Sequence, residues 1–267
     1  MLKTCLKATL GALALSGSLV LGAQAKLYTE KVEYLHNGVM MEGFLAYDTD
    51  KLKKGPNNPG VLIYHAWMGI GQHEMDWAKK FAEAGYVAFA PDIYGKGVRP
   101  KTPEAAGQEA GKYRKDRALM RARAQQGLTQ LRQHAWVNPE AIGALGFCFG
   151  GGVTLELARS GAPVSGFVSL HGNLDTPNPQ DAKAIQGEVL VLHGAADPYV
   201  PMTQVADFQK EMDGAKVDWQ LHMYGGAVHA FSDPYAGNNT ASGAAYDAVA
   251  ARRAWQDTFA FLQQYVQ

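Results

Sequence analysis

Apolar runs bounded by turn residues recur along the chain and predict strands that alternate with helices. Residues 31–36 and 39–47 alternate between apolar and polar side chains, whereas residues 60–66 and 86–90 are almost continuously apolar. Alternation is typical of a strand with one solvated face, and a continuous run is typical of a strand buried on both faces of a parallel sheet. Further strands are predicted at residues 141–147, 164–171, 188–193 and 217–224, and helices at residues 74–84, 103–134, 149–157, 200–212 and 243–266.

The connections between these elements predict the fold class. Asn37-Gly38 joins the first two strands and is typical of a two-residue β-hairpin turn. Beyond this hairpin, strands alternate with helices to the end of the chain. We therefore expect an α/β fold: a doubly wound, mostly parallel sheet with an antiparallel N-terminal hairpin and helices on both faces.

Residues 1–25 have the pattern of a cleaved export signal. Lys3 and Lys7 give a positive start, an apolar stretch follows, and Ala23-Gln24-Ala25 fits a cleavage site. We expect residues 26–267 to form a single mature domain that is exported, either to a periplasm or out of the cell. A membrane anchor is the alternative, but the apolar stretch is short for a span and no stop-transfer pattern follows it.

The charge balance argues against some partners. Without the leader, the chain has 23 basic and 25 acidic residues and hence a net charge of −2. Nucleic acid or an anionic membrane surface is therefore not an expected partner. Basic residues that cluster in the predicted helix 103–134 are interpreted as a solvated face. They are Lys112, Arg114, Lys115, Arg117, Arg121 and Arg123.

Cys148 lies at the junction of a predicted strand and a predicted helix. Removal of the leader, which contains Cys5, leaves Cys148 as the only cysteine, so no intramolecular disulfide is possible. Gly146 and Gly150 flank it, as in the nucleophile elbow, a tight turn that exposes a nucleophile at the end of a strand. A buried structural cysteine is the alternative, but the glycines favour a reactive thiol.

Asp197 and His229 follow two later strands. Nucleophile, acid and histidine thus occur in the order Cys148, Asp197, His229, which is the chain order of α/β-hydrolase triads. Asp175 competes for the role of the acid, and Asp197 has an alternative role as a cap of the following helix. Other histidines end strands and are interpreted as structural groups that hydrogen-bond loop backbone. They are His65, His171 and His193.

This triad predicts acyl transfer to the sulfur of Cys148. The thiolate attacks an ester carbonyl, and the backbone N–H groups of Phe149 and Trp67 hold the oxyanion. Water then hydrolyses the thioester with His229 as the general base. The chemistry requires no metal or other cofactor, and no Cys/His cluster has the spacing of a metal site.

Four segments resemble the dienelactone hydrolase (carboxymethylenebutenolidase) family. They are YVAFAPDIY at residues 86–94, Gly146-Phe147-Cys148-Phe149-Gly150-Gly151, Ala196-Asp197-Pro198-Tyr199-Val200-Pro201 and Val228-His229-Ala230-Phe231. The resemblance runs from about residue 60 to the C-terminus. It implies an α/β-hydrolase fold, the triad described above, and a small ester or lactone as substrate.

The chain departs from this family at three positions. A glutamate that usually keeps the cysteine neutral at rest is replaced by Ala66. The resemblance then implies either a resting Cys148 thiolate paired with His229 or, as the less favoured alternative, a contribution from Glu74.

The other two departures concern the substrate. The archetypal enzyme binds a substrate carboxylate through two arginines, and these positions hold Lys96 and Asp233. Because Asp233 would repel a carboxylate, an uncharged ester or lactone is the expected substrate. Its predicted pocket consists of Trp67, Met68, Tyr94, Lys96, Phe149, Phe231 and Tyr235.

Two other functions stay open. Loss of the glutamate is compatible with a binding protein that kept the fold without catalysis, and a lone reactive thiol is compatible with a redox-responsive protein. A monomer or a small homo-oligomer is expected.

Overall fold

The computed structural model describes residues 27–266, so the predicted leader lies outside the described residues. The strands are β1 (Leu27–His36), β2 (Val39–Asp48), β3 (Asn58–Tyr64), β4 (Val87–Ala90), β5 (Val137–Phe147), β6 (Gly166–Leu170), β7 (Glu188–Gly194) and β8 (Trp219–Tyr224). The helices are α1 (Gln72–Glu83), α2 (Pro103–Lys115), α3 (Arg117–Arg132), α4 (Phe149–Arg159), α5 (Met202–Ala215) and α6 (Ala248–Tyr265), with short 3-10 helices at Pro179–Ala184 and Thr240–Ser242. In this part of the chain, no helix is both long and apolar enough to cross a membrane.

The eight strands form one sheet in the order β1-β2-β4-β3-β5-β6-β7-β8. β2 is antiparallel to both of its neighbours, and all other neighbouring strands are parallel. Asn37 and Gly38 have φ angles of 48° and 79°, as a two-residue hairpin turn of this kind requires. The predicted doubly wound sheet with its N-terminal hairpin is confirmed.

Helices cover both faces of the sheet, because successive residues of each central strand point to opposite sides. Val61 and Ile63 of β3 belong to a buried cluster with residues of α1 and α6, such as Phe81 and Leu262. Leu62, between them, belongs to a second cluster with residues of α3, α4 and α5. The core therefore has two layers, with the sheet between them.

Two predicted helix boundaries are wrong, and in both cases an aspartate is the reason. The stretch 103–134 is interrupted at Asp116, whose carboxylate accepts the N–H of Leu119 and caps α3. The last helix begins at Ala248 instead of residue 243, because Asp247 accepts the N–H groups of Val249 and Ala250.

The interpretation of the basic residues in α2 and α3 as a solvated face is wrong for several of them. Arg123 is buried and donates to the carbonyl oxygens of Ile93 and Tyr94. Arg121 pairs with the fully buried Glu156 of α4 at 2.7 Å. These side chains fasten α3 to its neighbours.

Candidate active site

Cys148 occupies a sharp turn between β5 and α4. Its φ of 53° lies in the left-handed region, which few non-glycine residues adopt. A Cβ atom at Gly146 would overlap the carbonyl oxygen of Gly150, and one at Gly150 would overlap that of Tyr64. Only glycine fits at both positions, and the close approach they permit is what allows the turn.

His229 lies between Cys148 and Asp197. Its Nδ1 is 2.8 Å from Oδ2 of Asp197, and its ring is hydrogen bonded to the Cys148 side chain. The other oxygen of Asp197 accepts the N–H groups of Tyr199 and Val200, so the carboxylate is fixed in place. Both Asp197 and His229 are more than nine-tenths buried.

The charges of this group stabilise one another. Burial alone would raise the pKa of the Cys148 thiol, but the charge and hydrogen bond of His229 and the N–H of Phe149 hold it below its ordinary value. Burial likewise opposes protonation of His229, yet the Cys148 thiolate and Asp197 raise its pKa above the ordinary value. A thiolate beside an imidazolium is therefore the favoured resting pair.

The two predicted oxyanion donors belong to the loop after β3 and to the start of α4. The N–H of Phe149, at the start of α4, is hydrogen bonded to the Cys148 side chain. Trp67 belongs to the loop after β3 and lines the same cavity as Cys148. The N–H of the preceding residue, Ala66, is already occupied, since it donates to Glu74 at 3.0 Å.

Glu74 reaches back from α1 to this loop. Its two carboxylate oxygens accept the N–H groups of Ala66 and Gly71, the second at 2.8 Å. The side chain is buried, lines the cavity, and has a pKa that burial raises. Glu74 thus holds the backbone on either side of Trp67 and Met68, and its hydrogen bonds go to backbone and not to the cysteine.

A cavity of about 730 Å³ opens over Cys148 and His229. Trp67, Met68 and Tyr235 line it as predicted, and Tyr199 joins them. A second depression, of about 820 Å³, lies between the Pro179–Ala184 helix and α5 and contains no triad residue.

Four residues of the predicted pocket do not line this cavity. Tyr94 is buried behind the wall and donates to the carbonyl oxygen of Trp67 at 2.9 Å. Lys96 pairs with Glu33 of β1 on the surface. Phe149 is buried against the rings of His65 and Tyr94. Phe231 is fully buried against the ring of Tyr224. The buried aromatic residues of this set thus pack behind the cavity wall and do not contact the cavity.

His171 has a closer relation to the nucleophile than its sequence position indicates. It lines the cavity, has a positive φ of 39°, and accepts the N–H of Cys148 on Nδ1 at 3.2 Å. Burial and then the charge of His229 hold the pKa of His171 well below its ordinary value, so the ring is neutral. The proton therefore lies on Nε2, which donates to Ser232 at 2.8 Å.

The remaining candidates have structural partners. Asp175 is paired with Arg117 at 2.7 Å and lies apart from His229. His65 is buried, accepts the N–H of Ile93 on Nε2 and donates from Nδ1 to the carbonyl oxygen of Ala66. Within residues 27–266, no group of three His, Cys, Asp or Glu side chains is placed to hold a metal ion.

One charged residue of the cavity wall, Arg114, comes from an element that the sequence does not connect with the site. Arg114, at the end of α2, lines the cavity together with Asn173, which follows β6. Asp233 lines it too, with Oδ1 at 3.8 Å from Nδ1 of His73. No local motif marks Arg114 or His73 as cavity residues; only the fold brings them there.

A mostly parallel eight-stranded sheet with a nucleophile elbow after β5, an acid after β7 and a histidine after β8 defines an α/β hydrolase. Residues 42–266 match the model of the dienelactone hydrolase family. The chain belongs to that family and is a hydrolase of its type.

Solved and curated relatives agree with this assignment. The crystal structure of a dienelactone hydrolase-like promiscuous phosphotriesterase from metagenomic libraries is 36% identical, with a TM-score of 0.85 over 91% of this chain and 100% of the other. A probable 2-oxo-3-(5-oxofuran-2-ylidene)propanoate lactonase from Bradyrhizobium sp. is 29% identical over 89% of this chain and 96% of its own length. A putative carboxymethylenebutenolidase from Aquifex aeolicus is 27% identical over 89% of this chain and 99% of its own.

Proposed function

We propose that this protein hydrolyses small carboxylic esters or lactones with Cys148 as the nucleophile. The observation that carries the proposal is the hydrogen-bonded series Cys148, His229 and Asp197 beneath the cavity of about 730 Å³. The lactonase and carboxymethylenebutenolidase names of the relatives support the choice of substrate class.

The first half of the reaction forms a thioester. The Cys148 thiolate attacks the substrate carbonyl, and the N–H groups of Phe149 and Trp67 stabilise the resulting oxyanion. When the carbon–oxygen bond breaks, the imidazolium of His229 gives its proton to the departing alkoxide. In a lactone this alcohol remains attached to the acyl group.

The second half restores the enzyme. His229, now neutral, takes a proton from water as the water attacks the thioester. Collapse of the second tetrahedral intermediate releases a carboxylic acid and returns the thiolate beside the imidazolium. Asp197 keeps the ring oriented in both halves, since its carboxylate accepts from Nδ1.

The test is a stopped-flow reaction with p-nitrophenyl acetate, in which nitrophenolate release and the mass of the intact protein are followed together. We expect a burst, a transient acetyl adduct, and steady turnover, all absent in Cys148→Ala. A burst without turnover would favour a binding protein that retains the fold. Turnover that persists in Cys148→Ala would contradict the proposed mechanism.

We further propose that the protein is exported, on the basis of the residue 1–25 pattern. The measurement is fractionation of the source cells with an intact mass of the recovered chain. A chain that begins at Lys26 outside the cytoplasm is expected, and a full-length chain confined to the cytoplasm would contradict the proposal.

A further inference from the structure

The backbone of His171 adopts a strained conformation that places the imidazole ring beside the nucleophile. Its φ of 39° lies in the left-handed region, and strain of this kind is concentrated at functional sites. The ring packs edge-on against the rings of His229 and Phe231, with centroids 5.3 and 5.1 Å away. Because His171 is only 2% exposed, this packing fixes the position of its ring.

The ring supplies a hydrogen-bond acceptor to the backbone of the elbow. The N–H of Cys148 donates to the carbonyl oxygen of Leu170 at 3.0 Å and also to Nδ1 of His171 at 3.2 Å. The first bond continues the pairing of β5 with β6. The second bond forms only if Nδ1 carries no proton, and in a neutral imidazole the proton then lies on Nε2. The state of the His171 ring therefore decides whether the elbow has this second support.

Ser232 selects that state of the ring. Its Oγ lies 2.8 Å from Nε2 of His171. A hydroxyl can either donate or accept, and its second partner decides which of the two it does. The Ser232 hydroxyl donates to Nε2 of His73 at 3.4 Å, so a lone pair of Oγ is left to accept the Nε2–H of His171.

Asp233 sets the direction of these bonds at their far end. Its Oδ1 is 3.8 Å from Nδ1 of His73, which favours a proton on Nδ1 and leaves Nε2 to accept from Ser232. The ring of His73 is neutral at pH 7, since burial lowers its pKa to about 4. From the N–H of Cys148 through His171 and Ser232 to His73, every donor therefore points the same way. Aligned hydrogen bonds of this kind strengthen one another.

We infer that Ser232 is a positioning residue for the reaction of Cys148: it keeps His171 in the tautomer that accepts the Cys148 N–H. The sulfur is thereby held next to its two stabilising groups, the His229 ring and the N–H of Phe149. Ser232 is 3% exposed and does not line the cavity, so it acts through His171 and not on the substrate. This inference rests on the proposed function and adds a residue to its machinery.

The experiment measures kcat and KM for p-nitrophenyl acetate in Ser232→Ala. This change leaves the buried Nε2–H of His171 without its acceptor, and the ring regains a partner only by turning or by moving its proton, at the expense of the bond from Cys148. We expect kcat to fall about tenfold. KM should change less than about twofold, because the cavity wall keeps all of its side chains.

Two variants and one spectrum complete the experiment. Ser232→Thr keeps a hydroxyl and should retain most of kcat. Thr258→Val removes a fully buried hydroxyl of α6 that has no hydrogen-bond partner within residues 27–266, so kcat should not change. Nitrogen-15 NMR of the imidazoles, with the His171 signals assigned from His171→Gln, should show the proton on Nε2 in the unaltered protein and altered His171 signals in Ser232→Ala. Circular dichroism and thermal melting show whether each variant is folded, and the comparison of Ser232→Ala with Thr258→Val does not require the larger threonine to fit.

The outcomes separate this inference from the proposed function. If turnover depends on Cys148 and Ser232→Ala leaves kcat unchanged, the inference is wrong and the proposed function stands. The inference is also wrong if kcat falls while the His171 signals stay as they are, since the effect then does not pass through that ring. If the unaltered protein does not turn over the ester, the proposed function fails. The positioning is then tested on the sulfur itself: iodoacetamide at pH 7 should alkylate Cys148 more slowly in Ser232→Ala than in the unaltered protein, and equal rates would overturn the inference.

Discussion

At the scale of single residues, the sulfur of Cys148 lies between two groups that stabilise negative charge, the His229 ring and the N–H of Phe149. The first carries a full charge, and the second adds the partial positive charge of a helix N-terminus. Both effects require that the turn at Cys148 places the sulfur next to the His229 ring and the Phe149 N–H.

The charged pair predicts how the reactivity of Cys148 depends on pH. The pKa of Cys148 is lowered and the pKa of His229 is raised, and both directions favour the thiolate over the thiol. Alkylation by iodoacetamide should therefore stay fast at about pH 7, where an ordinary thiol with a pKa of about 8.5 reacts slowly. In His229→Gln, Cys148 should behave like an ordinary thiol, so the alkylation rate should fall about tenfold for each pH unit below a pKa of about 8.5.

The control for this prediction is His222→Gln on β8. His222 is partly exposed and pairs with Asp257, away from the cavity. Its replacement should leave the alkylation profile unchanged. A profile of the unaltered protein that follows an ordinary thiol would contradict the charged pair.

At the scale of elements, a buried ion pair connects the helix after Cys148 with the helix after the Asp197 loop. Arg159 of α4 donates from two nitrogens to the two carboxylate oxygens of Glu211 of α5, at 2.7 and 2.8 Å. A third nitrogen donates to Glu156. Arg159 is 2% exposed and Glu211 8% exposed, so water does not replace a lost partner.

We expect Glu211→Ala to lower the free energy of unfolding by about 3 kcal/mol, because it leaves a buried guanidinium without its main partner. Asp207→Ala, on the same helix, removes an exposed pair with Lys210 and should cost less than about 0.5 kcal/mol. Urea denaturation of the two variants measures both values. Equal losses would show that burial does not decide the strength of these pairs.

Element boundaries also show what could be predicted from the sequence. The apolar runs of β3, β4 and β7 and the Asn37-Gly38 turn are local signals, and they predict the sheet correctly. The interruption at Asp116 was missed because helical spacing of apolar residues continues across it. An aspartate in such a stretch is as compatible with a solvated helix position as with a cap.

The cavity residues were harder to predict for a different reason. Trp67 and Met68 follow a strand directly, and the general rule for parallel sheets places them at the site. Arg114 reaches the cavity from the far end of a helix, and His171 contacts Cys148 across a strand pair. Tyr94 and Phe231 are, like Trp67, aromatic residues in loops that follow strands, yet their side chains are buried behind the cavity wall. The sequence does not indicate whether a loop side chain points into a cavity or into the core.

At the scale of the whole molecule, buried histidines make the folded state sensitive to acid. Burial lowers the pKa of His65 and that of His73 to about 4 each, against about 6.5 in an unfolded chain. Between these values the unfolded chain binds more protons than the folded chain, so stability falls as the pH falls. Each histidine should cost about 2 kcal/mol between about pH 7.5 and pH 5.

Urea denaturation at these two pH values tests this expectation. His73→Gln should reduce the pH difference in unfolding free energy by about 2 kcal/mol, whatever it does to stability at pH 7.5. His222→Gln, which replaces a partly exposed histidine, should leave the difference unchanged. A free energy of unfolding that does not depend on pH in this range would contradict the assignment of neutral buried rings.

The order of the strands places the three triad residues in one half of the chain, whereas the cavity wall is drawn from both halves. Cys148, Asp197 and His229 all follow strands of the contiguous set β5 to β8, which is built from residues after 136. Trp67, Met68 and Arg114 of the cavity wall come from the half before it, whereas Tyr199, Asp233 and Tyr235 of the same wall come from the later half. Substitutions at the wall residues of the first half can therefore alter the cavity while the second half keeps the nucleophile and its partners, so relatives in this family can diverge in substrate without having to rebuild a catalytic group.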